Sequence, residues 1–196
     1  AANVLSEANL GKDEILKLAI ELEGHPDNVA PAIYGNMIIA FMEDGNLYHE
    51  SIKVPEEIRF LAMVPDFELS TEKARAVLPK EIPHKHGVFN VSRCALLIAA
   101  FTKNNLDLVK AACKDKFHQD YRSHLINNYD DIVAYANSLD SLGTFLSGAG
   151  PTIMTLAKDG DDEILDKMKS YLAALPDNWQ ILDLHCDPNG AYYKEV

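Results

Sequence analysis

The sequence is poor in positive charge, in cysteine and in long apolar runs. Eighteen Lys and Arg stand against 30 Asp and Glu, a formal net charge of −12. This acidity argues against nucleic acid and membranes as partners, because both present anionic surfaces that only a basic protein face neutralises. No apolar run approaches the ~20 residues that span a bilayer, and the opening residues resemble neither a signal peptide nor a transit peptide. We therefore expect a cytoplasmic protein.

Cysteine usage points to the same compartment. The three cysteines, Cys94, Cys113 and Cys186, are odd in number and have neither CxxC spacing nor a neighbouring histidine cluster. That pattern argues against a disulfide framework and against a structural zinc site. We expect three reduced thiols.

The sequence also lacks an initiator Met. Residues 1–9 have the pattern of the last turns of a helix closed by Gly11, so we expect earlier turns outside the given sequence. Next, Asp13–Glu23 is predicted to be helical, because its apolar residues recur at spacings of three and four. Two strands are predicted on either side of the Asp44-Gly45-Asn46 turn, a strong hairpin signal.

The pattern changes after residue 57, where strand and helix signals follow in the order β, α, α, α, β, α, β. Helices are predicted over Val88–Thr102, over residues 105–115 and over residues 123–139, and strand material is predicted over residues 178–187 and 190–196. This order predicts an α+β layer with helices on one face of a mostly antiparallel sheet.

Residues 23–36 concentrate polar chemistry at the end of the first long helix. Carboxylates, an imidazole and an amide lie within six residues, in the string EGHPDN. Such a set can hold Mg²⁺ through a carboxylate and orient a hydroxyl nucleophile. A capped helix end with a solvated polar turn explains the same residues without any function.

Two further segments carry residues of interest. LSGAGPT is a glycine turn in which Gly148 and Gly150 lack Cβ, so backbone can approach a ligand closely, although any tight turn looks alike. In STEKAR, Thr71 and Arg75 are four residues apart and share one helix face. A solvated surface charge is the alternative interpretation of Arg75.

Four segments together resemble the homoserine kinases of the GHMP small-molecule kinase superfamily, in the same order along the chain. They are HPDNVAPAIYGN at 25–36, VPDFELSTEKARAVLP at 64–79, FNVSRCALLIAAF at 89–101 and LSGAGPTIM at 146–154. The resemblance implies the GHMP kinase fold. Residues 1–55 would be the remainder of the ribosomal-S5-like N-terminal, ATP-binding domain, and residues 56–196 the ferredoxin-like C-terminal domain, with ligands in the cleft between them.

The resemblance also implies roles for individual residues. Arg122 belongs to a DxxHQxYR-like stretch with Asp115, His118 and Tyr121, and pairs with Arg75 to fork an amino-acid carboxylate. The implied catalytic residues are His25, Asp27, Asn28 and Thr71. The glycine turn would place Gly148 against the acceptor substrate, and Ser147, Ala149 and Gly150 against the nucleotide phosphates. The Mg²⁺ ligand would be Glu23, the carboxylate nearest the turn, or Glu21.

The implied activity is transfer of the ATP γ-phosphoryl group to the hydroxyl of L-homoserine, giving O-phospho-L-homoserine for threonine biosynthesis. Such chemistry depends on positioning and charge neutralisation, so Asp27 either accepts the hydroxyl proton or only orients the alcohol. Mevalonate-type relatives would carry a PSGxD-like string in place of HPDN. Homodimers are common among such enzymes, and the sequence itself is silent on assembly. The competing hypothesis is a noncatalytic amino-acid-binding or regulatory domain with the same fold.

The family's glycine- and serine-rich phosphate loop, of the form PxxxGLGSSxxx, is missing from the sequence. That loop would cradle the triphosphate with backbone N–H groups at a helix N-terminus. We therefore predict that residues 1–196 alone have little kinase activity. A coupled ATP-turnover assay with L-homoserine checks this, and full turnover by this polypeptide would refute it.

Overall fold

The computed structural model describes residues 2–194, which form two compact units. The first unit comprises the residues up to Val54 together with those from Cys186 onward, and the second comprises Pro55–His185. The predicted domains were two continuous stretches that meet at residues 55 and 56. The boundary between the two units lies one residue earlier, between Val54 and Pro55, and the described residues from Cys186 onward belong to the first unit. That these units are the two domains of a GHMP kinase stays a prediction.

The first unit combines three helices with one hairpin. Its elements are α1 (Ala2–Leu5), α2 (Lys12–Glu23), α3 (Val29–Tyr34), β1 (Met37–Glu43) and β2 (Asn46–Ile52). The two strands pair antiparallel with Glu43 opposite Asn46. Both residues of the turn between them, Asp44 and Gly45, have positive φ, as a two-residue hairpin turn requires. The predicted helix and hairpin are therefore confirmed, and the buried side chains of α2, Leu16 and Ile20, form the centre of this unit's core.

The prediction that Gly11 closes the first helix was wrong. Helix α1 ends at Leu5, and the chain then turns through Glu7 and Asn9, which both have positive φ. Gly11 is extended, with φ −71° and ψ 167°, and it precedes α2 instead. The carboxylate of Glu14 accepts a hydrogen bond from the Gly11 N–H at 2.8 Å, so this glycine begins the second helix.

The chain end returns to α3 by backbone hydrogen bonds. The Asn36 N–H donates to the Asp187 carbonyl at 2.8 Å, and the Ala191 N–H donates to the Ala32 carbonyl at 2.8 Å. Gly35 and Gly190 both have positive φ at this contact. Residues 190–194 form no strand, so the prediction of strand material there was wrong for the part that the structure describes, while residues 195 and 196 lie outside it. The stretch instead docks on the end of α3 through the Ala191 N–H.

The second unit is a four-stranded antiparallel sheet with helices. Its elements are β3 (Ile58–Pro65), α4 (Thr71–Ala76), α5 (His84–Thr102), a 3₁₀ turn (Leu106–Leu108), α6 (Val109–Ala112), α7 (Gln119–Arg122), a second 3₁₀ turn (Ser123–Leu125), α8 (Tyr129–Ser138), β4 (Gly143–Leu146), β5 (Ile153–Lys158), α9 (Asp162–Leu172) and β6 (Trp179–Leu184). The strand order is β4-β5-β3-β6 and every pairing is antiparallel. This is the split βαβ arrangement of a ferredoxin-like domain, so the predicted fold is confirmed for this unit.

The core of the second unit lies between the sheet and two helices. Leu61, Met63 and Ile153 are fully buried and pack against α8 and α9, which contribute Ile132 and Met168 among others. No helix among residues 2–194 is both long and apolar enough to cross a membrane. The apolar residues of this unit are thus buried mainly between the sheet and these two helices.

Two helix boundaries in the second unit differ from the prediction. Helix α5 begins at His84, four residues before the predicted start at Val88, because Pro83 suits the entry to a helix and Gly87 is tolerated within it. The helix predicted over residues 123–139 begins only at Tyr129. Asn128, with φ +58°, separates it from the preceding 3₁₀ turn.

A buried cation joins the outer strand of the sheet to α9. Arg59, on β3, has 5% of its side chain exposed. It binds the Asp183 carboxylate on β6 through two nitrogens and Asp162, at the start of α9, at 3.0 Å. A buried guanidinium requires such partners, because an unpaired buried charge is strongly destabilising. The Arg59–Asp183 ion pair thus links β3 and β6 side by side.

The packing of the last described residues on α3 predicts that alanine substitutions at Gly190 and Gly45 have very different effects. A Cβ at Gly190 would lie 2.4 Å from the Ile33 carbonyl oxygen, whereas a Cβ at Gly45 would meet nothing within 4 Å. Both glycines have left-handed backbone, with φ of +67° and +76°. We expect Gly190→Ala to accelerate hydrogen exchange of the Ala191 amide at least about tenfold by displacing the chain end.

Gly45→Ala is the matched control, because it costs only the strain of left-handed backbone, about 1–2 kcal/mol, without a clash. It should leave the Ala191 amide protected. Equal exchange rates at Ala191 in the two variants would contradict the steric argument.

Candidate functional site

The HPDN turn of the first unit is organised by the Asp27 carboxylate. Helix α2 ends at Glu23, and Gly24 closes it in left-handed conformation with φ +90°. Asp27 Oδ1 then contacts His25 Nδ1 and accepts a hydrogen bond from the Asn28 N–H at 2.9 Å. The Asn28 side chain caps nothing, and Asp27 and Asn28 are exposed. The structure thus brings His25, Asp27 and Asn28 together with polar groups still free to bind a ligand.

The two carboxylates predicted as Mg²⁺ ligands lie near the end of α2, and both are exposed. Residues two apart on a helix point in different directions, so Glu21 and Glu23 cannot bind one ion together. No group of three His, Cys, Asp or Glu side chains within residues 2–194 could hold a metal. Mg²⁺ is typically bound through one or two carboxylates together with phosphate oxygens and water, so a single glutamate fits that pattern.

In the second unit, the guanidinium of Arg122 is held by several hydrogen bonds. Its Nε donates to the Ala74 carbonyl on α4 at 2.9 Å, and one terminal nitrogen donates to the Gly148 carbonyl at 3.2 Å. The same terminal nitrogen lies 3.3 Å from His118 Nδ1. Arg122 therefore connects α7, α4 and the glycine turn, the three segments of this unit in which the resemblance implied site residues.

Arg75 lies beside this cluster on α4. Ser70 caps that helix by accepting a hydrogen bond from the Lys73 N–H at 3.2 Å, and Thr71 is its first residue. Arg75 and Thr71 are exposed, and the Arg75 guanidinium has no hydrogen-bond or ion-pair partner among residues 2–194. Burial lowers the pKa of Arg122, and the positive charge of Arg75 lowers it further. The charge of Asp115 opposes both effects, but no carboxylate in the part of the chain that the structure describes is ion-paired with Arg75 or Arg122.

The glycine turn presents unpaired backbone N–H groups. The Ser147 N–H donates to the Thr152 carbonyl at 2.9 Å, and the Gly150 N–H donates to the Ser147 carbonyl at 3.0 Å. Neither Gly148 nor Ala149 donates its N–H to a backbone carbonyl in the described chain. Gly148, with φ +56°, is open on its Cβ side, whereas a Cβ at Gly150 would lie 3.0 Å from a methyl of Leu146. Gly148 therefore suits close approach of a ligand, and Gly150 is also required by packing.

Asp115 organises the start of α7. Its side chain is 9% exposed, and its Oδ2 accepts the N–H groups of His118 and Gln119, each at 2.7 Å. Burial alone would raise the pKa of Asp115, but the bonds from these two amides and from the Asn90 side chain outweigh burial and hold the pKa below its usual value. Asp115 is therefore a charged helix cap.

His118 is set to be neutral. Burial lowers its pKa, the nearby charge of Arg122 lowers it further, and Asp115 opposes both effects. A neutral imidazole can accept a hydrogen bond at Nδ1 from the Arg122 guanidinium, whereas a protonated one cannot. The protonation state of His118 therefore bears directly on Arg122.

Sequence reasoning missed two partners of this cluster. Asn90 donates to Asp115 Oδ1 at 2.6 Å from helix α5. Gln119 accepts both the Tyr129 hydroxyl and the Leu146 N–H, each at 2.9 Å, which ties α7 to the strand before the glycine turn. The only signal was the presence of Asn90 in FNVSR and of Gln119 in the DxxHQxYR-like stretch, where neither had a predicted role.

Comparison with known proteins finds similarity along nearly the whole chain. Residues 97–174 match the family model described as GHMP kinases C terminal. A homoserine kinase of Clostridium botulinum is 48% identical over 190 residues, which is 97% of this chain and 64% of the relative. The chain thus spans 64% of the length of that curated relative.

Solved structures agree with the match. The crystal structure of a homoserine kinase from Cytophaga hutchinsonii superposes with a TM-score of 0.89 at 27% identity, over 97% of this chain and 62% of that one. The L. major mevalonate kinase in complex with R-mevalonate superposes with a TM-score of 0.69 at 20% identity, over 97% of this chain and 63% of that one, and shows the fold alone. Residues 97–174 are thus similar to the C-terminal domain of GHMP kinases, and nearly the whole chain is similar in sequence to a homoserine kinase.

The depressed pKa of His118 predicts a pH dependence of stability. Because the folded-state pKa lies below the ordinary value of 6.5, the unfolded chain takes up this proton first as the pH falls below 6.5. The contribution of His118 to the free energy of unfolding should therefore fall between pH 7 and pH 5. Urea unfolding followed by the fluorescence of Trp179, the only tryptophan and a residue of the second unit, measures it.

We expect the stability advantage of the wild type over His118→Gln to shrink across that range. His124→Gln, at an exposed position two residues after Arg122, is the control and should change the pH profile little. A constant difference between wild type and His118→Gln would contradict the assignment of His118 as a neutral acceptor.

Proposed function

We propose that this chain is part of a homoserine kinase, which transfers the γ-phosphoryl group of ATP to the side-chain hydroxyl of L-homoserine. The product would be O-phospho-L-homoserine, on the way to threonine. The homology over 97% of the chain supports the activity. The observation that carries the proposal is the pair of neighbouring guanidinium groups, Arg75 and Arg122, with no carboxylate bound to either.

The two arginines fit the carboxylate of an amino acid. Arg122 uses Nε and one terminal nitrogen on backbone carbonyls, which leaves its other terminal nitrogen for a ligand. The Arg75 guanidinium has no partner among residues 2–194. In a protein of net charge −12, two cations that form no ion pair with a carboxylate in the described chain favour a small anion. L-homoserine offers a carboxylate of this kind and, at its other end, the hydroxyl that would be phosphorylated.

The glycine turn suits the phosphate side of the reaction. The N–H groups of Gly148 and Ala149 are available, and successive free backbone N–H groups form anion-binding concavities. Ser147 and Gly150 frame the same turn. Thr71, at the exposed start of α4, adds a hydroxyl that can bind a phosphoryl oxygen. We assign Gly148 to the acceptor substrate and Ser147, Ala149 and Gly150 to the nucleotide.

The HPDN turn supplies the groups that would orient the substrate hydroxyl. Asp27 Oδ1 is engaged by His25 and by the Asn28 N–H, so its other oxygen remains for the alcohol. The Asn28 side-chain amide can donate to a substrate oxygen. Phosphoryl transfer needs chiefly positioning, so we assign Asp27 to orientation of the hydroxyl, with proton acceptance as its second role.

ATP and Mg²⁺ are the expected cosubstrate and cofactor. The ion would neutralise charge on the transferred phosphoryl group and would be held by phosphate oxygens and one carboxylate, Glu23 or Glu21. Since these two side chains diverge on α2, only one of them would serve. The three unpaired cysteines fit a reducing compartment and support the cytoplasm as the site of action.

The test compares two cations on one helix in the complete gene product. Arg75→Gln should raise KM for L-homoserine about 10- to 100-fold, because a charged hydrogen bond to the carboxylate contributes about 1.5–3 kcal/mol, and should leave KM for ATP unchanged. Lys73→Gln removes an exposed charge two residues away on α4 and should leave both constants unchanged. A coupled assay of ADP release measures both.

A substrate without the carboxylate sharpens this test. The wild type should strongly prefer L-homoserine over 3-aminopropan-1-ol, and Arg75→Gln should lose most of that preference. No phosphorylation of L-homoserine by the complete gene product would overturn the proposal. Calorimetric binding of the amino acid that is indifferent to ATP and Mg²⁺, without turnover, would indicate a noncatalytic binding domain instead.

A further inference from the structure

We propose that Asn90, on helix α5, and Asp115 act together as positioning residues for Arg122. This hydrogen-bonded pair, called the clasp below, would thereby set the affinity for the amino-acid substrate. The inference rests on the proposed function, because Arg122 is taken there as a carboxylate-binding residue. Neither clasp residue is assigned to contact a ligand. Their effect would pass entirely through the geometry of α7.

The clasp is a reciprocal pair of polar side chains. Asn90 Nδ2 donates to Asp115 Oδ1 at 2.6 Å, and Asn90 Oδ1 accepts the Lys116 N–H at 2.9 Å. The amide of Asn90 therefore uses its donor on the Asp115 side chain and its acceptor on the backbone one residue later. Only a side chain with a donor and an acceptor on one planar group can make both bonds to this segment.

Asp115 carries the constraint from the clasp to α7. Its Oδ2 accepts the N–H groups of His118 and Gln119, the residue before α7 and its first residue. Helix α7 has four residues, Gln119–Arg122, too few to be stable without external support. The side chain of Asp115 is 9% exposed, so each of its hydrogen bonds is costly to lose. The rigid support is α5, which is 19 residues long.

Arg122 is one turn further along the same segment. Its N–H donates to the His118 carbonyl at 3.0 Å, and its guanidinium lies 3.3 Å from His118 Nδ1. His118, whose N–H donates to Asp115, thus contacts both the backbone and the side chain of Arg122. A shift of the His118 backbone would move the guanidinium away from the Ala74 and Gly148 carbonyls, at 2.9 and 3.2 Å.

This arrangement predicts a specific kinetic consequence. A bidentate guanidinium tolerates little displacement, and misplacement by about 1 Å can cost on the order of 100-fold in a bound complex. Loss of the clasp should therefore raise KM for L-homoserine. KM for ATP should rise much less, because the clasp reaches the residues assigned to the nucleotide only indirectly, through Gln119 and the Leu146 N–H before the glycine turn.

The test exchanges the two residues. Asn90→Asp alone places two carboxylates at the 2.6 Å contact, and Asp115→Asn alone leaves the partly buried Asn90 N–H₂ group facing another amide. The double variant N90D/D115N can form every original bond, because the amide at 115 donates to the carboxylate at 90 and still accepts the two N–H groups of α7. Each single variant should raise KM for L-homoserine about tenfold or more, and the double variant should return it to within about threefold of wild type.

Asn127→Asp is the matched control, because Asn127 donates to Asp177 at 3.0 Å in an exposed pair outside this cluster. It should leave both KM values unchanged. A double variant as impaired as the worse single variant would overturn the proposal, and so would single variants that raise both KM values equally, since a general loss of structure would do that.

A readout independent of catalysis separates this inference from the proposed function. The Arg122 Nε–H, hydrogen-bonded to Ala74, should give a slowly exchanging ¹H–¹⁵N signal that is absent in Arg122→Lys. Each single clasp variant should accelerate its exchange, and the double variant should restore it. If the complete gene product does not phosphorylate L-homoserine but the double variant restores this signal, the function fails and the positioning role stands. If the kinase is active and the signal is not restored, the positioning role fails.

Discussion

The guanidinium of Arg122 is the point at which three separate segments of the second unit meet. It bonds the end of α4 through Ala74, the glycine turn through Gly148, and its own helix through His118. All three partners are neutral acceptors, two carbonyl oxygens and an imidazole nitrogen. They offset the cost of partial burial through hydrogen bonds, but they do not neutralise the charge, which only the more distant carboxylate of Asp115 opposes. The residue is thus held in place by the protein and still attracts an anion.

The contrast with Arg59 shows why the choice of partner matters. Arg59 is almost fully buried and is neutralised by the carboxylates of Asp183 and Asp162. Its hydrogen bonds raise its pKa further, with Asp183 as the main cause, whereas burial and the charge of Arg75 lower the pKa of Arg122. The ion pairs of Arg59 stabilise the sheet and the start of α9. The placement of Arg122 beside Arg75 keeps two like charges at close range, which is unfavourable in the empty protein and becomes favourable when an anion lies between them.

Local sequence signals predicted the elements that depend on local physics. The Asp44-Gly45 turn specifies its hairpin because both residues accept positive φ, and the apolar period of α2 specifies the buried stripe with Leu16 and Ile20. The candidate site came from resemblance more than from pattern, since Arg75 alone looks like any surface cation. The boundaries that failed depend on a single backbone conformation: Asn128 in left-handed conformation breaks a helix that the apolar period continues.

What the sequence could not predict are pairings between distant positions. Asn90 and Asp115 are 25 residues apart, and neither the apolar period of α5 nor the capping pattern of α7 indicates that they meet. The return of the last residues to α3 is the same kind of feature, because a backbone contact through Gly35 and Gly190 leaves no side-chain pattern in the sequence. Local patterns therefore specify where helices and strands form. The polar contacts that fix how a functional side chain points are set by tertiary structure, and only coordinates show them.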